Sequence, residues 1–195
     1  MNFVGAQAAS TPNVIIIMAD DQGYQDLGCF GSPKIKTPQI DRMAKEGMRF
    51  TDFYSGASVC TPSRASLLTG CYASRVGNLG VLFPRDKRGL NPNEITIADL
   101  LKAKGYATAC IGKWHLGHLK EFLPTSRGFD TYFGVPYSND MTIDVSQPLA
   151  NDIVLREGVT LENIKNRVKK NLVPLMRDTE IIEYPADQNT LTKRY

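Results

Sequence analysis

No hydrophobic run in the chain is long enough to cross a bilayer: the longest, Val14 to Ala19, falls far short of the ~20 apolar residues a helical span requires. Tryptophan, histidine and cysteine are also scarce, at one, two and four among 195 residues. Cys29, Cys60, Cys71 and Cys110 form no Cys-x-x-Cys pair and no zinc-finger spacing, which excludes a zinc finger or ribbon and leaves any disulfide pairing open. A charge excess is lacking as well. The net charge is only +3 and the basic residues are dispersed, so the electrostatic footprint of a nucleic-acid-binding protein is missing. The densest basic run, Lys165 to Lys170, reads as a solvated helix face. Neither an internal repeat nor a low-complexity segment interrupts the chain.

What is present suits a folded domain. Hydrophobic residues make up 42% and charged residues 22%, well away from the compositions that stay disordered. The length fits one domain or most of one, since domains typically run to roughly 50–250 residues. Residues 1–12 read as a tail or the remnant of a signal peptide, Ala6-Gln7-Ala8 having the small-x-small form of a secretory cleavage site.

From residue 13 onward, strand-like and helix-like stretches alternate as in an α/β domain with a mostly parallel central sheet and helices on both faces. Val14 to Met18 is a β-branched run that predicts a buried central strand ending at Asp20-Asp21. Thr37-Pro38 predicts a helix start, with Ile40, Met43 and Ala44 on one face and Gly47 at the end. Arg49 to Tyr54 is the next strand candidate. Ser63 to Thr69 reads as a helix closed by Gly70, which places Cys60 at a helix N-terminus. Thr96 to Lys104 predicts an amphipathic helix with Ile97, Leu100 and Leu101 inward. Tyr106 to Ile111 predicts a strand that delivers Gly112-Lys113-Trp114-His115 at its carboxyl end, where open α/β sheets bind ligands. Beyond Tyr137 the pattern weakens to a helix over Leu161 to Lys169, a strand around Thr179 to Glu183 and a helix start from Asp187.

Three elements carry chemistry. Asp20-Asp21 offers adjacent oxygen ligands of the kind that hard divalent cations take, although Asp-Asp before Gln-Gly is equally a turn composition. Cys60 and Arg64, four residues apart, project from one side of a helical turn and pair a sulfur nucleophile with a guanidinium. A capped structural cysteine is the plainer reading of Cys60 alone. Lys113 and His115, bounded by Gly112 and Gly117, alternate so as to face one site, or else are a surface charge and a core histidine.

Together the three resemble the formylglycine-dependent sulfatases of the alkaline-phosphatase-like superfamily. Cys60-Thr61-Pro62-Ser63-Arg64-Ala65-Ser66-Leu67-Leu68-Thr69-Gly70 is similar to the signature of that family, in which Cys-x-Pro-x-Arg directs oxidation of the cysteine to formylglycine. Asn13 to Gly23, Gly112 to Gly117, Thr37 to Asp41 and Arg127-Gly128-Phe129-Asp130 resemble other family segments. The resemblance implies a Ca²⁺ ion, with Mg²⁺ as the alternative, held by Asp20, Asp21 and the modified Cys60. It implies catalytic roles for Cys60, Arg64, Lys113 and His115, and a formylglycine-generating enzyme as partner. A hydroxyl of the hydrated formylglycine would attack the sulfur of an aryl or carbohydrate sulfate ester, with the cationic side chains spreading the negative charge of the transition state. It also implies a periplasmic or secreted protein.

The family's further metal ligands, an Asp-Asn pair, and its second histidine and lysine have no match here. Asn139-Asp140 and Asn151-Asp152 have the wrong order, and His118 stands too close to His115. Residues 13–195 are therefore expected to be the N-terminal part of a sulfatase catalytic domain, inactive alone. A phosphodiester or phosphonate-ester hydrolase of the same superfamily and a non-catalytic truncated product are the competing expectations.

Overall fold

The computed structural model describes residues 11–77, 80–156, 158–166 and 172–195. Ala6-Gln7-Ala8, the last turn of the expected helix to Lys169 and most of the basic run ending at Lys170 lie outside them. The chain divides into two compact units, Met1–Phe53 and Tyr54–Tyr195.

In the first unit, helix α1 (Pro38–Glu46) starts where Thr37-Pro38 predicts, with proline in the first turn, where a missing N–H costs nothing. Thr37 does not cap it. Its hydroxyl instead accepts from the Gly28 amide at 2.8 Å and donates to Asp41 Oδ1 at 2.8 Å. The same carboxylate oxygen accepts from the Cys29 amide at 2.7 Å, so the first turn of α1 is pinned to the 3₁₀ turn Gly28–Phe30. Ile40 and Met43, expected on one face of the helix, are exposed.

Val14 to Met18 is not a strand, and Ile15 and Ile17 are 82% and 84% exposed. Arg49 to Tyr54 forms none either, with Phe50 and Phe53 exposed. β-Branched and aromatic residues fit a pleated surface, but the pleat exists only as a hydrogen-bonded ladder. No described residue of this unit belongs to a strand that could supply one.

The second unit holds the sheet. Its strands are β1 (Ala109–Ile111), β2 (Thr131–Gly134), β3 (Leu149–Leu155), β4 (Leu175–Arg177) and β5 (Glu180–Tyr184), in spatial order β1-β2-β4-β5-β3. The class is α/β, with mixed pairing. β1–β2 and β3–β5 are parallel, while β2–β4 and β4–β5 are antiparallel. Helices α2 (Cys60–Thr69), α3 (Ile97–Lys102), α4 (Leu161–Lys165) and α5 (Leu191–Arg194) complete the unit. Trp114, Leu116, Tyr132, Met176 and Ile181 are central to the larger of two apolar clusters.

Helix α3 is shorter than Thr96 to Lys104 suggests. Thr96 and Asp99 close a reciprocal capping box at its start. Ala98 is its buried residue, whereas Leu100 is 57% exposed. The Arg127-to-Asp130 segment has a structural job beside it. The buried Arg127 donates to the carbonyls of Pro92, at 2.7 Å, and Glu94, and the Arg127 carbonyl accepts from the Thr96 hydroxyl at 3.0 Å. Asp130 receives Lys102 at 2.7 Å, and this bond with those from Thr108 holds its carboxyl down to about 2.

Candidate active site

Helix α2 begins at Cys60 itself, three residues ahead of the expected Ser63. Pro62 falls within the first turn, whose amides have no intrahelical acceptor, so its missing N–H breaks no helical bond. Gly70 closes the helix in the left-handed region at φ 65°, its amide bonded to Ser66 O at 2.9 Å. Thr61 and Ser63 are buried anchors: the Thr61 hydroxyl accepts from the Leu82 amide at 3.2 Å, and Ser63 Oγ lies 2.6 Å from Ser55 Oγ. Their neighbours Cys60 and Arg64 stay half-buried on the remaining side.

Arg64 reaches across to the segment that carries Lys113 and His115, its Nη1 donating to the carbonyl of Lys113. That segment continues the parallel β1–β2 ladder past the strand ends. Gly112 N bonds Phe133 O at 2.9 Å, Trp114 N bonds Val135 O at 3.0 Å, and His115 N bonds Pro136 O at 3.1 Å. Two glycines permit this. A Cβ on Gly134 would stand 1.9 Å from Gly112 O, and Gly112 itself has φ 101°. His115 turns into the left-handed region at φ 59°, so Lys113 and His115 do not simply alternate on an extended strand.

Lys113 Nζ donates to Ser138 Oγ at 2.8 Å, and Ser138 follows β2 as Lys113 follows β1. The lysine and its partner thus leave the carboxyl ends of adjacent parallel strands. His115 is fully buried, with Nε2 2.8 Å from Leu82 O. A carbonyl only accepts, so Nε2 carries the proton. The Leu82 residue therefore links α2, through Thr61, to the histidine. Sequence reading found neither Ser138 nor Leu82, since a lone serine and a main-chain carbonyl carry no motif.

Cys110 is no rival nucleophile. It packs partly buried against the larger core cluster, and desolvation pushes its thiol up to about 12 despite the nearby Arg64.

Asp20 and Asp21 belong to the first unit. Both are exposed, Asp21 with φ 56°, a conformation that Asp tolerates better than most residues. Their adjacent oxygens suit Ca²⁺ or Mg²⁺ by donor type. They are only part of the roughly six to eight oxygens that Ca²⁺ takes. Among the described residues no group of three or more His, Cys, Asp or Glu side chains converges as a metal cluster.

Comparison with known proteins matches the sulfatase family model over residues 12–191. The chain belongs to the sulfatase family. It is 42% identical over 195 residues to mouse arylsulfatase G, covering 98% of this chain and 37% of that protein. To human arylsulfatase A it is 51% identical over 139 residues, 70% of this chain and 27% of the relative. Among solved structures, the crystal structure of Ps i-CgsB is similar with a TM-score of 0.72 and 32% identity, over 94% of this chain and 42% of that one. A structure holding its substrate D-glucosamine-2-N,6-O-disulfate is similar with a TM-score of 0.54 and 37% identity, over 65% and 24% of the two chains. This sulfatase chain thus spans about a third of the length of the curated relatives it matches. No helix among its described residues is long and apolar enough to cross a membrane.

Proposed function

We propose that the protein carrying this chain hydrolyses sulfate esters, of the aryl or carbohydrate type, with a formylglycine made from Cys60 by a formylglycine-generating enzyme. The observation that carries this reading is local: Cys60-x-Pro62-x-Arg64 opens a helix whose Arg64 is bonded to the main chain of Lys113. Arylsulfatase and steryl-sulfatase relatives favour sulfate over the phosphodiester alternative.

Each side chain has a task that its placement suits. Cys60, oxidised and hydrated, supplies the attacking hydroxyl, and the positive end of the α2 dipole favours the oxygen that forms there. Arg64 donates to developing sulfuryl charge from one turn along the same helix face. Lys113, held by Ser138, adds a second cation. His115, whose Nε2 proton is directed to Leu82 O, is a core-anchored imidazole whose other nitrogen can orient a reacting hydroxyl by accepting from it. Asp20 and Asp21 are the carboxylates that would hold Ca²⁺ or Mg²⁺, and such an ion supplies Lewis-acid chemistry when bound. Export to the periplasm or the cell exterior belongs to the same reading.

The test is a pair of rates measured side by side on a sulfate monoester and a phosphate diester. Preferred release of sulfate supports the assignment, and preferred hydrolysis of the diester refutes it.

A further inference from the structure

Behind Lys113 and His115 lies a buried polar group to which the sulfatase reading assigns no task. His118 is 2% exposed, Gln147 6% and Asp144 8%. His118 Nε2 is 2.7 Å from Asp144 Oδ2, and Asp144 Oδ1 accepts from the Ser146 amide at 2.9 Å and the Ser146 hydroxyl at 2.8 Å. Gln147 Nε2 donates to the His118 carbonyl at 3.2 Å, so one loop grips this histidine by ring and main chain together. Lys87 balances the carboxylate from 3.9 Å. Desolvation lowers the His118 pKa, with Asp144 opposing it and the more distant Lys87 and Asp86 acting in opposite directions. Desolvation raises that of Asp144, but the bonds from Ser146 and His118 outweigh it and leave the carboxyl below its usual range. The pair is a neutral imidazole donating its Nε2–H to a carboxylate.

Both histidine rings meet the fully buried Tyr137: His118 at 5.1 Å between centroids, tilted, and His115 at 6.1 Å, edge-on. The residues on either side of Tyr137 both serve the site. Pro136 O accepts the His115 amide at 3.1 Å, and Ser138 Oγ accepts Lys113 Nζ at 2.8 Å. An apolar filling of equal volume would stabilise the fold as well as this buried hydrogen-bonded pair, so the pair's distinctive contribution is fixed geometry.

We propose that His118 and Asp144 are positioning residues, which through Tyr137 hold the Pro136–Ser138 segment and through Ser138 set the Lys113 ammonium. Its kinetic consequence rests on the sulfatase reading, while its structural consequence does not. The experiment compares Asp144→Asn, Ser138→Ala and the double variant in the protein carrying this chain, with Cys60 converted. Turnover of a sulfate monoester and acetylation of Lys113 by limiting acetic anhydride, read by mass spectrometry, are both followed. Each single variant is expected to lower kcat about tenfold with KM nearly constant, and the double to be no slower than the slower single. Asp144→Asn is expected to raise Lys113 acetylation about fivefold, the factor for one lost hydrogen bond. Unchanged acetylation, or kcat losses that multiply, overturns the proposal. If acetylation rises while the wild-type protein releases no sulfate, the positioning role stands and the sulfatase reading falls. Should Asp144→Asn fail to fold, His118→Phe keeps a ring against Tyr137, loses the donor to Asp144, and is expected to raise acetylation equally.

Discussion

Val14 to Met18 and Ala109 to Ile111 are both apolar runs that lead directly into chemically suggestive residues, yet only the second is a strand. The difference is not burial. Ile111 is 58% exposed, since β1 lies at the edge of the sheet, and it is nonetheless in register with Phe133. The first run has the stronger β composition and pairs with no strand among the described residues of its unit; the second has modest composition and a parallel neighbour. A strand is therefore a relation between segments, and it delivers site residues only where the relation is made. For Lys113 the ladder runs on past the strand end through the Gly112–Gly134 approach, fixing the main chain on which Arg64 also bonds.

The comparison can be broken from either side. The largest expected effect is in the paired region. Trp114→Ala removes a side chain that is 2% exposed, together with the indole bond to Phe122 O at 2.9 Å. It is expected to cost about 3–5 kcal/mol, read as a lowered denaturation midpoint. A loss under ~1 kcal/mol would mean that this region is not the stable core.

A smaller effect is expected from acid. The His118 pKa lies below its ordinary 6.5, so the unfolded chain binds the extra proton first, and stability is full above 6.5 and falls as pH drops below it. Asp144, depressed below its ordinary 3.8, adds a second loss as pH falls below that value. Chemical denaturation at a series of pH values should show both steps, with His118→Gln abolishing the first. Stability that rises on acidification across the upper window would contradict the neutral-imidazole assignment.

The smallest effect belongs to the unpaired run. Ile17→Ala, at a residue 84% exposed, should change stability by less than about 0.5 kcal/mol. A cost above ~2 kcal/mol would show that Val14 to Met18 is buried in a sheet after all.

Local chemistry made much of the molecule legible in its sequence. Thr37-Pro38 marked the start of α1, Gly70 the end of α2, and glycines at positions 112 and 117 the segment that carries Lys113 and His115. What was hidden depends on distant partners. β3 carries Asn151-Asp152, a turn composition, at a place where its register with β5 shifts, and β4 is only three residues long. Ser138 meets Lys113 across 25 positions, Asp144 meets His118 across 26, and Leu82 meets His115 across 33. No spacing rule spans such separations. The capping boxes of α3 and α4 show the reverse case, both partners lying within one turn.

The central claim is that Cys60 becomes the formylglycine of a sulfatase, and the mass of the tryptic peptide Phe50 to Arg64 tests it directly. The chain is co-expressed with a formylglycine-generating enzyme beside a sulfatase known to be converted. The account predicts that Cys60 is oxidised to an aldehyde, its sulfur replaced by oxygen with the loss of two hydrogens, a mass distinct from that of the serine a plain sulfur-for-oxygen exchange would give. A peptide that keeps its thiol while the control is converted would contradict it.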